Sequence, residues 1–146
     1  HLLLHSEGSL EHLKEARLMF ETAMARRAAE RATADDLAAI SAALARQRAS
    51  KPGSEEFVRS DGDFHGAIAQ VSGNPILTAL SRCLFKWLSE FHTEEVRRPG
   101  LENLTIAEHT AILDAIRTGN AEETSQQMAG HLTRANALYR IGAKPD

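Results

Sequence analysis

Residues 60–77, SDGDFHGAIAQVSGNPIL, decide how this chain is read. Phe57, Phe64 and Ile68 recur at helical spacing and mark an inward face over about residues 55 to 72. Asp61 and His65 stand on that same face, four positions apart, where apolar side chains are expected. SGNPIL then ends one helix and begins another. Gly73 suits the left-handed position after a helix, Asn74 can cap the next, and Pro75 fits its first turn, where a missing N–H costs nothing.

Working outward, the same 3.6-residue period appears almost everywhere and strand-like alternation nowhere. Ser9 is expected to cap a first helix to about Ala32, with Leu18, Ala25, Ala28 and Ala29 on its inner face. Thr33 caps a second to about Arg48, with Asp35 and Asp36 in its first turn. KPG (51–53) breaks the pattern and Ser54 restarts it. The fourth helix runs from Pro75 to about Arg97, where RRPG halts it. A capping box from Thr105 to Glu108 is expected to open the fifth. Asn120 with Glu123 opens a sixth, through Tyr139. Short connections imply antiparallel neighbours, so the expected fold is an all-α antiparallel bundle of about six helices in one domain, residues 1–146.

Composition agrees. The 146 residues are 42% hydrophobic and 25% charged, which suits a packed globular chain rather than a disordered one. Aromatic residues are few and the formal charge is −3, a poor footprint for gripping phosphate backbones. The single cysteine, Cys83, excludes a disulfide framework and is expected as a small core residue. No apolar run approaches the ~18 residues that span a bilayer. The first residues lack the basic region of a signal peptide, and residue 1 is not methionine, so a piece of a longer protein is expected.

Two further helices repeat the anomaly of the third. Ile106, His109, Leu113 and Ile116 form one stripe; Met128, His131, Ala135 and Leu138 form another. In each, a histidine occupies a core position. Buried unpaired, such groups cost several kcal/mol each, on the order of 2–7. A shared cation removes that cost, and imidazole nitrogens with one carboxylate oxygen suit Zn²⁺, Ni²⁺, Mn²⁺ or Fe²⁺. Ordinary satisfied core histidines remain the alternative. His1, His5, His12 and His92 fall outside the pattern and read as surface residues.

DGDFHGAIAQVSGNPIL (61–77), EHTAILDAI (108–116), MAGHL (128–132) and the opening stretch EARLMFETAMARRAAERAT (15–33) together resemble the ligand-binding domain of GntR-family transcriptional regulators, the FCD type. The resemblance covers about residues 9 to 140. It implies a divalent metal held by Asp61, His65, His109 and His131, with Zn²⁺ first among the candidates. It also implies a small organic-acid effector in the bundle cavity, with Arg17 as a carboxylate partner through its planar fork. A cytoplasmic homodimer is implied, with operator DNA bound only through an N-terminal winged helix-turn-helix that this chain does not show. The apolar fourth helix, with Leu84, Phe85, Trp87 and Leu88 around it, favours the dimer.

A metal-dependent enzyme is the first alternative. Glu108 points about 100° around the helix from His109, and no Glu-x-x-His or Gly-rich phosphate motif occurs. A purely structural, metal-stabilised domain is the second. Gly62, beside Asp61, weakens its helix by up to ~1 kcal/mol and has no evident reason from sequence alone.

Overall fold

The computed structural model describes residues 7–91 and 100–139. Those residues form six helices and no strand: α1 (Glu7–Arg31), α2 (Ala34–Ala49), α3 (Glu55–Gln70), α4 (Pro75–Ser89), α5 (Leu101–Thr118) and α6 (Ala121–Asn136). The punctuation is chemical. Thr33 and Asp36 close a reciprocal capping box: Thr33 Oγ1 accepts from the Asp36 amide at 3.1 Å and Asp36 Oδ2 from the Thr33 amide at 2.9 Å. Ser54 caps α3, Asn74 caps α4 ahead of Pro75, and Asn120 caps α6. Gly73 and Gly119 adopt φ of 70° and 75°, the left-handed turn that glycine enters without a Cβ penalty.

Helix α1 lies against α3, α4, α5 and α6, and α2 packs on α3 and α5. Small residues allow this. Ala25 and Ala28 are fully buried, so neighbouring helices approach α1 closely. The main core gathers Ile40 and Leu44 of α2, Phe64 and Ile68 of α3, Ile112 of α5, and Met128 and Leu132 of α6. Each such side chain removed from water contributes roughly 1.5–3 kcal/mol before entropy is subtracted. A second cluster joins Leu10 and Leu13 to Leu84, Leu88, Phe91 and Tyr139.

Several sequence expectations need correction. Ser9 lies inside α1 rather than capping it. Helix α5 starts at Leu101, a turn before Thr105, with left-handed Gly100 at its N-cap and no side-chain cap. Thr105 and Glu108 are thus interior residues, free to reach α6. Helix α6 ends at Asn136, so Leu138 and Tyr139 follow it. Described α4 ends at Ser89; its expected extension through residues 92–97 lies outside the described residues, as do His1, His5 and His92. Cys83 is exposed, because α3 and α1 cover only one side of α4. Gly62 finds its reason in packing: a Cβ there would stand 3.0 Å from Cδ1 of Phe85, so glycine lets α3 and α4 close.

Phe64 ties the core to the polar cluster, since its ring stacks on His109 with centroids 4.1 Å apart and planes 10° apart. Phe64→Ala is expected to lower unfolding free energy by about 3–5 kcal/mol, read from urea denaturation. A loss under 1 kcal/mol would mean the contact contributes no more than a surface one.

Candidate metal centre and its cavity

Helix α3 presents Asp61 and His65 one turn apart, and α5 and α6 bring His109 and His131 to the same point. One nitrogen from each of the three imidazoles lies within 4.8 Å of the other two. His109 Nε2 and His131 Nε2 are 3.2 Å apart. Asp61 Oδ1 stands 3.4 Å from His65 Nε2 and 3.6 Å from His109 Nε2. The four residues marked in the sequence therefore meet, although they come from three helices. All three histidines are buried, while Asp61 is partly open to a cavity.

Each imidazole is held from behind through Nδ1. Gln47 Oε1 accepts from His109 Nδ1 at 2.8 Å, and Glu108 Oε1 accepts from His131 Nδ1 at 2.8 Å. Glu21 Oε1 lies 2.9 Å from His65 Nδ1, an ion pair whose alignment falls short of a hydrogen bond. An Nδ1–H engaged in this way leaves Nε2 of a neutral ring as a bare lone pair. Burial holds His109 well below its ordinary pKa and lowers His131 too, against the pull of Glu108. Two neutral rings then aim lone pairs at each other across 3.2 Å. Asp61 Oδ1 and His65 Nε2, both buried, have no hydrogen-bond partner. The bare Nε2 lone pairs of His109 and His131 converging with the Asp61 carboxylate, and with His65 Nε2 once its proton is displaced, are the donor set of a divalent cation, so the residues fit one.

His65 behaves differently. Burial alone would lower it, but Glu21 and Asp61 outweigh that and raise it to about 9. Burial likewise pushes Glu21 up, and His65 with Arg17 holds it down at about 2. Asp61, raised by burial, is drawn below the usual carboxylate range by His65 and His109.

Beside the cluster lies a small cavity of about 60 Å³, which Asp61 and His131 help to line. Arg17 lines it but is only 3% exposed: its Nε donates to Glu21 Oε2 at 2.8 Å and its Nη1 to Asn136 Oδ1 at 3.2 Å. The ion pair with Glu21, one helical turn away, is what most helical Arg–Glu spacings of this kind make. A second arginine, Arg134, also lines the cavity. Its Nε donates to both Glu108 oxygens at 2.7 and 2.9 Å and its Nη2 to Thr105 Oγ1 at 3.0 Å. Its Nη1 is buried without a partner.

Sequence reasoning missed Gln47, Glu108 and Arg134. Gln47 had a signal, because it continues the stripe Ile40, Ala43, Leu44 and is fully buried. Arg134 follows His131 by three positions and so shares its face. Glu108 had none: it faces α6, and only the bundle shows that. His12 is exposed, as expected.

Comparison with known proteins places these residues in context. The FCD domain family model matches residues 12–134. The HTH-type transcriptional repressor NanR of Klebsiella aerogenes is 34% identical over 143 residues, 97% of this chain and 55% of that protein. The protein of the same name from Escherichia coli K12 is 33% identical over 138 residues, 93% of this chain and 52% of its own length. The chain thus spans about half the length of the curated relatives it matches. Among solved structures, E. coli McbR/YncC superposes with a TM-score of 0.80 at 22% identity, covering 92% of this chain and 65% of that one. Streptococcus agalactiae GntR superposes with a TM-score of 0.73 at 23% identity, covering 88% and 58%. At those identities the likeness is one of fold.

The His65 shift sets a pH signature for the metal-free protein. Its folded pKa exceeds the ordinary 6.5, so its stabilisation is complete below 6.5 and lost as pH rises through about 9. With chelator present, the urea midpoint is expected to fall across that window and His65→Gln to flatten the fall. A wild-type midpoint that is flat from 6.5 to 9 would contradict a charged His65.

Proposed function

The chain belongs to the FCD domain family of GntR-type transcriptional regulators, and on that premise we propose that it is a single effector-sensing domain, regulatory rather than catalytic. In this reading it binds a divalent ion and a small carboxylate. The observation that carries it is the convergence of bare nitrogen lone pairs and an unpartnered carboxylate oxygen at the edge of a cavity.

Asp61, His65, His109 and His131 would hold the ion, and the nitrogen-rich set favours Zn²⁺ over Ni²⁺, Mn²⁺ or Fe²⁺. When bound, the ion supplies a Lewis-acidic position that a carboxylate oxygen can take. The chain's own residues do the rest. Gln47, Glu21 and Glu108 fix the rings and their tautomers. Arg17 adds buried positive charge at the cavity wall while remaining bonded to Glu21 and Asn136. Arg134 adds an N–H that lacks an acceptor. Three carboxylates (Glu21, Asp61, Glu108) balance two guanidiniums (Arg17, Arg134) and a protonated His65 at the cluster, and a divalent ion that displaces the His65 proton leaves the cluster one positive charge.

The wider role belongs to a longer protein of the kind that its relatives represent. There, operator DNA would be contacted by a helix-turn-helix in the cytoplasm, and effector binding would act by favouring one of two domain arrangements. No helix among the described residues is long and apolar enough to cross a membrane. A homodimer is supported by α4, which exposes Ile76 (68%), Leu80, Cys83 and Trp87 (41%) at steps of four, three and four, the spacing of a helix-packing seam.

Metal content by plasma mass spectrometry, on wild type and His109→Ala, tests the reading. About one divalent ion per chain, lost or much reduced in the variant, is the expected result. No ion in either protein after growth in supplemented medium and dialysis against Zn²⁺ would overturn it. For the dimer, Leu80→Glu is expected to halve the mass seen by light scattering; a monomeric wild type would remove that part.

A further inference from the structure

Gln47 reaches His109 from α2, a helix that packs on α3 and α5 but carries none of the four residues of the cluster. It is fully buried, and its amide is only half used. Oε1 lies 2.8 Å from His109 Nδ1, while Nε2 has no hydrogen-bond partner among the described residues. A residue needed only to fill this core position would be apolar, since a buried N–H without an acceptor is costly.

The far side of the same ring supplies a reason. His109 Nε2 and His131 Nε2 stand 3.2 Å apart, at hydrogen-bond distance, whereas neither nitrogen of His65 has such a partner. Glu108, paired with Arg134, is a carboxylate that can only accept, so His131 carries its proton on Nδ1 and turns a lone pair towards His109. With a divalent ion bound, His109 must also offer a lone pair at Nε2. Its proton then sits on Nδ1 and Gln47 Oε1 accepts it. With the ion removed, two facing lone pairs repel, and a proton on His109 Nε2 converts that contact into a hydrogen bond to His131. A neutral imidazole has one N–H, so His109 Nδ1 then becomes a lone pair that needs a donor. Gln47 becomes that donor by turning its amide over. The two ends of an amide are nearly alike in shape, and the reversal breaks no other bond of Nε2, which has none.

We propose that Gln47 is a two-way positioning residue for His109, its amide oxygen accepting from Nδ1 when a divalent ion is bound and its amide nitrogen donating to Nδ1 when the ion is removed. The change balances on one ring: an N–H bond is lost at Nε2 and one is formed at Nδ1 by exchange with solvent, and the ring stays neutral. Glutamate here would serve the loaded state alone, because a carboxylate cannot donate; an apolar side chain would serve neither. The inference rests on the metal reading above and adds to it the residue that lets one imidazole satisfy both states.

Long-range proton–nitrogen correlation spectra, which separate the two imidazole tautomers, test it on the chain labelled in its histidine rings. The His109 signals are those missing from His109→Gln. In wild type they are expected to show N–H at Nε2 after chelation and at Nδ1 after loading with Zn²⁺. In Gln47→Glu they are expected to show N–H at Nδ1 even after chelation. Gln47→Met, which serves if the glutamate variant melts early, is expected to keep N–H at Nε2 after chelation. It is also expected to bind Zn²⁺ about 10–100-fold more weakly than wild type in competition with a chromogenic chelator, with the glutamate variant restoring the affinity. A single His109 tautomer in chelated and loaded wild type would overturn the role of Gln47 while the bound ion leaves the metal reading standing. So would N–H at Nε2 in chelated Gln47→Glu, or wild-type affinity in Gln47→Met. A wild-type chain that takes up no Zn²⁺ would overturn the metal reading and this inference together.

Discussion

The rest of this structure depends on one constraint: three imidazoles lie buried beside a half-buried carboxylate at the meeting point of α3, α5 and α6, and each must be compensated. An apolar bundle could close around leucines at those positions with less difficulty. Instead the chain surrounds the cluster with Gln47, Glu21 and Glu108, each of which faces an Nδ1, and leaves the Nε2 atoms pointing at one another. The arrangement has a direction. Protons are held on the outside of the ring of histidines and lone pairs on the inside, so the centre favours positive charge and the fold supplies none of its own there except through His65. That is why His65 alone is driven up, towards the charged form, while burial depresses His109 and His131.

The outer partners differ in kind, and the difference matters chemically. Gln47 is neutral, so His109 is oriented without being made more basic. Glu108 is a carboxylate, but Arg134 shares it and moderates its charge. Glu21 is shared between Arg17 and His65 in the same manner. Arginine thus appears twice in one role, neutralising the carboxylate that steers a histidine. In one case, Arg134, the guanidinium retains a buried Nη1 without a hydrogen-bond partner.

Much of the fold was legible in the sequence because its signals were local. Caps at Thr33, Ser54, Asn74 and Asn120 and the left-handed glycine at 73 bound the helices where those residues fall in the sequence. The start of α5 was misread for an instructive reason. Thr105 and Glu108 have the spacing of a capping box, but in the bundle their side chains serve α6 through Arg134 and His131, while a glycine without a side-chain cap begins the helix a turn earlier. Cys83 was misplaced because an apolar helix can be covered on one side only, and periodicity does not say by what. Asp61, His65, His109 and His131 were legible because polar groups on apolar stripes are conspicuous. Glu108 was not, since the ring that it holds stands on another helix and only the packing of α5 on α6 brings the two together.

Arg17 and Asn136 join the first helix to the last across 119 positions of chain. The bundle is therefore closed head to tail, and the buried histidines of α3 and α5 have no full set of neighbours until α6 arrives. Such a topology leaves the cluster without His131, and Arg17 without its Asn136 partner, until α6 is in place. The last helix is in this sense the keystone, and the register of the whole domain is checked only when it is set.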